Sequence, residues 1–293
     1  MTDDLRQRAI QLYDRFTHEG TDRRTFMADM AKLAGSVAAA ELLIAGIAAS
    51  PAGAAIVSPD DKRLRTGTTT FLGPLSNLPQ YKAYFAEPVV KSREHTVFVI
   101  HENRGLNDHI RDVTRRLALA GYYAVAPDFL SPTGGTPADE DAARDAIGKL
   151  DLAAAMSAAV AMLGEAKARL DGGPKVGAVG FCWGGGFVNR LAVAAGDKLD
   201  AGVVYYGPAP DAAEAPKVQA PLLIHDADLD ERVNRTSFPW VEGLRAAGKP
   251  VRFHLYEGVN HAFNNDTSAE RYNKTAADLA WKRTLAFFKR HLG

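Results

Sequence analysis

The chain of 293 residues has one cysteine, Cys182, so it contains no internal disulfide and no cluster of cysteine ligands. It has no excess charge either, because 35 Lys and Arg residues balance 35 Asp and Glu residues. Composition therefore gives no support for nucleic-acid binding, and no basic stripe carries interleaved aromatic residues. Long hydrophobic runs are also missing. The longest uncharged run, residues 42–59, is rich in Ala and Gly and contains Pro51, which argues against a membrane span.

Motifs for metals and nucleotides are absent from the sequence as well. No group of His, Cys and acidic residues has the spacing of metal ligands, and the glycine-rich residues 180–186 lack the Lys-Ser/Thr pair of a phosphate-binding loop. The full GxGxxG fingerprint of dinucleotide-binding proteins is missing too. We therefore expect no metal and no organic cofactor. A hydrophobic content of 46% is ordinary for a globular protein and allows one large α/β domain or two small ones.

The most informative stretch is residues 176–186, with the sequence VGAVGFCWGGG. An apolar run enters a tight turn with Cys182 at its apex, and Gly180 and Gly184 give the G-x-nucleophile-x-G spacing of a nucleophile elbow. The two glycines let strand and helix pass close together around a strained apex residue. The N–H groups that begin the following helix favour negative charge on the sulfur. By itself, the stretch is equally typical of a glycine-rich turn around a buried, inert cysteine.

From about residue 60 onward, strand and helix patterns alternate along the chain. The predicted strands are residues 68–72, 81–86, 96–101, 122–126, 176–181, 201–206, 221–225 and 251–256, and the predicted helices are residues 107–120, 137–151, 152–170, 237–247 and 269–291. The first two strands form an antiparallel pair at a sheet edge. This alternation predicts an α/β protein with a three-layer arrangement and a mostly parallel central sheet, in a domain of residues 61–293.

Residues 1–60 form a separate segment that has two interpretations. An amphipathic helix over residues 3–19 precedes Arg23 and Arg24, and an Ala-rich stretch with an Ala-Gly-Ala site at 52–54 follows, as in a twin-arginine export signal. Three charged residues interrupt that stretch, and about twenty residues precede the arginines, which favours a helical extension that packs on the domain or on a partner subunit. The first interpretation places the protein in the periplasm. The second places it in the cytoplasm and allows a homo-oligomer.

A nucleophile elbow in this fold is followed by an acid and then by a histidine. After Cys182, three acid candidates follow a predicted strand, namely Asp226, Asp228 and Asp230, and His261 follows the last strand. Both positions lie beyond the carboxyl ends of parallel strands, where open α/β sheets form their sites. A neutral imidazole can accept a thiol proton, and a buried carboxylate can orient the imidazole and stabilise its protonated form.

These residues resemble the dienelactone hydrolase family. The shared motifs are IHENRG at 100–105, GFCWGG at 180–185, YYG at 205–207, Asp230 five residues after His225, and GVNHAF at 258–263. The resemblance covers roughly residues 65–293. It implies an α/β-hydrolase fold with a catalytic triad of Cys182, Asp230 and His261. It also implies hydrolysis of small-molecule lactones or esters through a thioester.

The same resemblance implies roles for further residues. Glu102 matches a glutamate that contacts the resting thiol and takes part in its activation. The oxyanion hole would consist of the backbone N–H groups of Trp183 and Asn103. Tyr205 and Tyr206 match tyrosines of the substrate pocket, one of which could equally be a core residue.

The sequence departs from the family where substrate recognition is concerned. Family members that act on dienelactone hold its carboxylate with two arginines. No arginine follows Pro127-Asp128 here, and Asn265 replaces the arginine four residues after the histidine. Arg104 could substitute from the other side of the pocket. Bidentate recognition of a carboxylate is therefore doubtful, and we expect a neutral or differently charged ester or lactone.

Two other functions stay open from the sequence. One is acyl transfer through the same thioester, because water and an alcohol differ only in their access to the pocket. The other is a catalytically silent binding or scaffold protein of the same fold, although the intact Cys182, Asp230, His261 and Glu102 argue against it.

Overall fold

The computed structural model describes residues 3–48, 55–72, 77–90, 95–168 and 174–293. Eight strands form one sheet in the order β1-β2-β4-β3-β5-β6-β7-β8. They are β1 Leu64–Phe71, β2 Tyr81–Pro88, β3 Thr96–Ile100, β4 Tyr123–Pro127, β5 Val176–Phe181, β6 Ala201–Tyr205, β7 Leu222–Ala227 and β8 Val251–Tyr256. β1 pairs antiparallel with β2, and β2 pairs antiparallel with β4. All other pairings are parallel, so the predicted mostly parallel sheet is confirmed.

Helices cover both faces of this sheet. They are α1 Asp3–His18, α2 Arg23–Ala34, α3 Val37–Ile47, α4 Asp108–Leu119, α5 Glu140–Gly148, α6 Leu152–Ala168, α7 Trp183–Ala194, α8 Glu231–Ala246 and α9 Lys274–His291. Alternate residues of β3 enter two different cores: Val97 and Val99 pack with residues of α4 and α9, whereas Phe98 and Ile100 pack with residues of α6, α7 and α8. Because successive side chains of a strand point to opposite faces, this division confirms the three-layer arrangement.

The largest differences from the predicted helix starts are at α8 and α9. α8 begins at Glu231 rather than 237, and Pro239 lies inside it. The side chain of Asp230 caps α8 by accepting a hydrogen bond from the Val233 N–H at 3.2 Å. α9 begins at Lys274 rather than 269, because Asn273 provides the capping side chain.

The N-terminal segment forms three helices with an apolar cluster of their own, centred on Ile10, Tyr13, Phe26 and Met30. The predicted first helix is confirmed as α1. The Ala-rich stretch forms α2 and α3, which are separated at Gly35, whose φ of 83° is readily adopted only by glycine. No single described helix is both long and apolar enough to cross a membrane. Two pairs of consecutive helices, α2 with α3 and α5 with α6, reach the required length and hydropathy only when each pair is taken as one segment. The helices within these pairs are bent relative to each other by 106° and 95°, respectively.

Three sequence predictions fall outside the described residues. They are the Ala-Gly-Ala site at 52–54, the middle of the loop between β1 and β2, and the last two residues of the helix predicted over 152–170.

Candidate active site

The turn between β5 and α7 has the geometry of a nucleophile elbow. Cys182 is the residue before α7 and has φ 54° and ψ −114°, a backbone conformation that residues other than glycine rarely adopt. A Cβ atom on Gly180 would clash with the backbone carbonyl of Gly184, and one on Gly184 would clash with the carbonyl oxygen of Ile100. Both glycines are therefore required by the close passage of strand and helix, and the turn holds the Cys182 side chain at the end of the sheet.

Of the three acid candidates, Asp230 is the one that lies beside His261. The Nδ1 atom of His261 is 2.5 Å from the Oδ2 atom of Asp230, and both side chains are buried. Asp226 instead accepts a hydrogen bond from the Ser237 hydroxyl, and Asp228 is exposed, with its carboxylate 3.4 Å from the Gly258 nitrogen. The tertiary structure thus selects the candidate that also caps α8.

This pairing changes the proton affinity of both groups. Burial alone would lower the pKa of His261, but the charges of Asp230 and Cys182 outweigh burial and raise that pKa to about 10. Burial alone would raise the pKa of Asp230, but the attraction to His261 outweighs burial, and the pKa is below its usual value. Asp230 therefore stabilises the imidazolium that forms when His261 accepts a proton.

The sulfur of Cys182 lies next to two imidazoles. One ligand atom each of His18, Cys182 and His261 lies within 4.8 Å of the others, and the His18 Nε2 atom is 3.9 Å from the sulfur. Within the described residues, the buried Nε2 atom of His261 has no hydrogen-bond partner. Since its Nδ1 atom bonds Asp230, Nε2 is the nitrogen that is left to react with a proton on sulfur or on a leaving group.

Glu102 and Asn265, both expected near the nucleophile, are in contact with each other. Glu102 directly follows β3 and His101, and its Oε2 atom accepts a hydrogen bond from the Asn265 amide at 2.9 Å. The buried Oε1 atom of Glu102 has no partner among the residues that the structure describes. Glu102, Asn265, Cys182 and His261 line one small cavity, so one carboxylate oxygen of Glu102 is available beside the nucleophile.

The two residues expected to supply oxyanion N–H groups, Trp183 and Asn103, both line the groove beside Cys182. Trp183 is the first residue of α7, and its ring stacks on that of His101 with centroids 5.3 Å apart. Asn103 lies in the turn after β3 and lines the cavity, while its side-chain amide donates to the Thr17 carbonyl at 3.3 Å. The positions agree with the family's arrangement, in which one N–H follows the nucleophile and the other comes from the loop after an early strand.

The other three residues expected in the substrate pocket, Tyr206, Tyr205 and Arg104, lie in different surroundings. Tyr206 packs edge-on against His261, with ring centroids 5.0 Å apart, and its hydroxyl has no partner among the described residues. Tyr205 lies in the core, where its hydroxyl bonds Thr284 at 2.8 Å. Arg104 lines the cavity, but its guanidinium contacts Glu140 and the Tyr13 hydroxyl.

The N-terminal helix α1 covers this group of side chains, which the sequence alone did not indicate. Asp14 of α1 accepts a hydrogen bond from Arg271 at 3.2 Å, and burial raises the pKa of Asp14 against the opposing charge of Arg271. Arg6 pairs with Glu270 at 2.7 Å. From Cys182, a groove with a volume of about 970 Å³ runs between the end of α1 and α5. No sequence motif indicates these contacts, because they join residues more than 200 positions apart in the chain.

Burial and a neighbouring charge also act on His18, the last residue of α1. Burial together with the nearby His261 lowers the pKa of His18 well below its usual value of 6.5. The His18 ring meets that of His261 edge to face, with centroids 4.9 Å apart. A neutral imidazole of α1 therefore lies directly against the proposed acid–base histidine.

The family model for the dienelactone hydrolase family matches residues 81–292, which include all of the side chains described around Cys182 except those of α1. The chain belongs to the dienelactone hydrolase family. It is a hydrolase of the lactone and ester type, as the sequence motifs had predicted.

Relatives and solved structures agree with this membership. An Escherichia coli protein assigned as a carboxymethylenebutenolidase is 30% identical over 271 residues, which cover 84% of this chain and 94% of that protein. Protein usf of Aquifex pyrophilus is 33% identical over 207 residues, covering 67% of this chain and 88% of its own length. A crystal structure assigned as a dienelactone hydrolase of Klebsiella pneumoniae matches with a TM-score of 0.68 at 27% identity, covering 78% of this chain and 99% of its own.

One further structure is a dienelactone hydrolase-like promiscuous phosphotriesterase from metagenomic libraries. It matches with a TM-score of 0.68 at 25% identity and covers 79% of this chain and 100% of its own. These coverages indicate that the fold common to the two solved structures makes up a little under four fifths of this chain.

Proposed function

We propose that the protein hydrolyses carboxylic esters or lactones through a thioester on Cys182, with His261 as acid and base and Asp230 as the group that orients it. The observation that carries this proposal is the short contact between His261 and Asp230 beside a cysteine at the apex of a nucleophile elbow. Three functional groups in this relation are the requirement for nucleophilic catalysis by a thiol.

In the proposed reaction, the thiol proton moves to the Nε2 atom of His261, and the sulfur attacks the carbonyl carbon of the substrate. The N–H groups of Trp183 and Asn103 bind the oxyanion of the tetrahedral intermediate. His261 then gives its proton to the departing alkoxide, which leaves a thioester on Cys182. A water molecule, deprotonated by the same imidazole, attacks the thioester, and the acid leaves as the thiol is restored.

The two guanidinium groups that line the small cavity, those of Arg104 and Arg271, are already paired with other protein groups. The guanidinium of Arg104 is occupied by Glu140 and Tyr13, and that of Arg271 by Asp14. Bidentate recognition of a substrate carboxylate needs a guanidinium with two free donors on one side. We therefore propose esters or lactones that place no carboxylate in the small cavity. Arg232, whose Nε and Nη2 atoms have no partner among the described residues, lines the adjoining groove and can pair with an acidic group farther from the scissile bond.

The test is hydrolysis of short-chain p-nitrophenyl esters and simple lactones by the wild type, Cys182→Ala and His261→Ala. His254→Ala, a substitution on β8 away from the cavity, is the matched control. We expect both site variants to lose about a thousandfold or more in kcat, in line with other nucleophile–histidine pairs, while the control keeps its activity. Full activity of Cys182→Ala would refute the thioester mechanism.

The two alternative functions have distinct outcomes in the same assay. Acyl transfer predicts that an added alcohol becomes esterified and that the acid product decreases in proportion. A catalytically silent protein predicts no turnover of any ester, together with alkylation of Cys182 by iodoacetamide that no ester slows.

A further inference from the structure

The contact between His18 and Cys182 brings a third donor atom to the nucleophile. The His18 Nε2 atom is 3.9 Å from the sulfur, and the ligand atoms of His18, Cys182 and His261 all lie within 4.8 Å of one another. One sulfur and two imidazole nitrogens make up a donor set that Zn²⁺ and similar thiophilic cations prefer. Tetrahedral zinc with these ligands needs donor atoms about 3.5 Å apart, so shifts of about an ångström bring the three into range.

The surroundings of His261 match those of a histidine that binds a metal. Its Nδ1 atom pairs with the Asp230 carboxylate at 2.5 Å, which directs the free Nε2 atom toward the sulfur. A carboxylate on the second ring nitrogen is the usual support of a histidine ligand to zinc. The Nε2 atom is buried and has no hydrogen-bond partner in the part of the chain that the structure describes. It is therefore the imidazole nitrogen left for a metal ion, which displaces the proton that Nε2 and the Cys182 sulfur share.

Charge around the cluster also suits a cation. A bound Zn²⁺ and the thiolate of Cys182 would leave one positive charge in a buried place. The carboxylate of Asp230 bonds the His261 ligand, and Glu102 lines the same cavity with one oxygen unpartnered within the described residues. These two groups offset the remaining charge, and the two guanidinium groups that line the cavity are themselves paired, Arg104 with Glu140 and Arg271 with Asp14.

We propose that His18, Cys182 and His261 form a site for a thiophilic divalent cation, with Zn²⁺ as the reference ion, and that occupancy inhibits the hydrolase. On binding, the metal–sulfur bond replaces the S–H bond, and that proton leaves to solvent. The metal occupies the sulfur and the acid–base nitrogen at once and ties α1 to the cavity. The groove lined by His18 and Cys182 would leave a fourth coordination position accessible to water. The site itself does not depend on the proposed function, but the inhibition does.

The test uses the full chain, reduced and freed of metal, titrated with Co²⁺ as a spectroscopic substitute for Zn²⁺. We expect a thiolate-to-cobalt charge-transfer band in the near ultraviolet that Zn²⁺ abolishes by competition. Cys182→Ser should lose that band, and His18→Ala should bind Zn²⁺ at least about tenfold more weakly. His18→Gln retains the size and polarity of the side chain without an imidazole and should be weakened equally. His254→Ala, away from the cluster, should bind as the wild type does.

Two results would overturn the site: no thiolate band in the wild type, or Zn²⁺ affinity of both His18 variants equal to that of the wild type. Ester hydrolysis measured with and without a chelator separates this inference from the proposed function. Hydrolysis without metal binding refutes the cation site alone. Metal binding without hydrolysis by any form refutes the proposed function and leaves the site standing. With both present, His18→Ala should hydrolyse esters and resist inhibition by Zn²⁺.

Discussion

Replacement of Asp226 by asparagine should stabilise the protein, and the gain should grow with pH. Asp226 lies in β7, is fully buried and accepts a hydrogen bond from the Ser237 hydroxyl, whereas its Oδ1 atom has no partner among the described residues. Burial raises the pKa of Asp226 from 3.8 to about 7, the hydrogen bond from Ser237 opposes this effect, and the charge of Asp230 adds to it. The asparagine side chain has almost the same shape as that of aspartic acid but carries no charge at any pH.

The magnitude follows from the difference between the folded and unfolded pKa values. Because the folded pKa is the higher one, the folded state binds the proton more tightly, and the native protein loses stability as the pH rises from about 4 to about 7. Below pH 4 both states are protonated and the effect vanishes. A difference of about 3 pKa units corresponds to roughly 4 kcal/mol, which is the upper limit of the gain above pH 7.

Urea unfolding of the wild type and Asp226→Asn at several values between pH 4.5 and about pH 8 measures this difference. The new amide can also change the free energy of unfolding by an amount that does not depend on pH. Only the part of the difference that changes with pH reports on the carboxyl group. Ser237→Ala is the second variant: it removes the hydrogen bond that lowers the pKa of Asp226, so it should extend the pH dependence to higher pH when Asp226 is present and have no such effect in the Asp226→Asn background. A free-energy difference between wild type and Asp226→Asn that stays the same over this range would refute the reasoning.

Two further outcomes follow from the site. Asp230→Asn removes the charge that keeps the pKa of His261 at about 10, so this pKa should fall, as an NMR titration of the imidazole would show, and kcat/KM should drop on the order of a thousandfold. An unchanged imidazole pKa would contradict the assigned pair. Gly180→Ala places a Cβ atom against the backbone of Gly184 and should prevent folding, whereas Gly148→Ala, where a Cβ atom meets nothing within 4 Å, should fold normally by circular dichroism. A folded, active Gly180→Ala protein would show that the elbow can relax.

Local sequence patterns were sufficient to predict the fold. The run VGAVGFCWGGG predicted a strand, a strained apex and a helix, because only glycines two residues to either side of Cys182 allow that close passage. The alternation of buried strands and helices similarly predicted the parallel sheet, since the pairing of β3 with β4 and β5 needs helical crossovers. Ends of helices were harder: α8 begins at Glu231 rather than 237, because the side chain of Asp230 caps the helix there.

The composition of the site was only partly determined by sequence. Order along the chain predicted Cys182, His261 and a choice of three aspartates, and the family resemblance singled out Asp230. In the structure, Asp230 is the aspartate that contacts His261. The placement of α1 over the cavity could not be predicted, because its contacts depend on how a separate helical cluster packs against loops more than 200 residues away. A histidine at the end of an amphipathic helix forms no sequence motif that indicates a functional role. Only tertiary packing brings His18 to the sulfur, since that contact depends on the geometry of both elements at once.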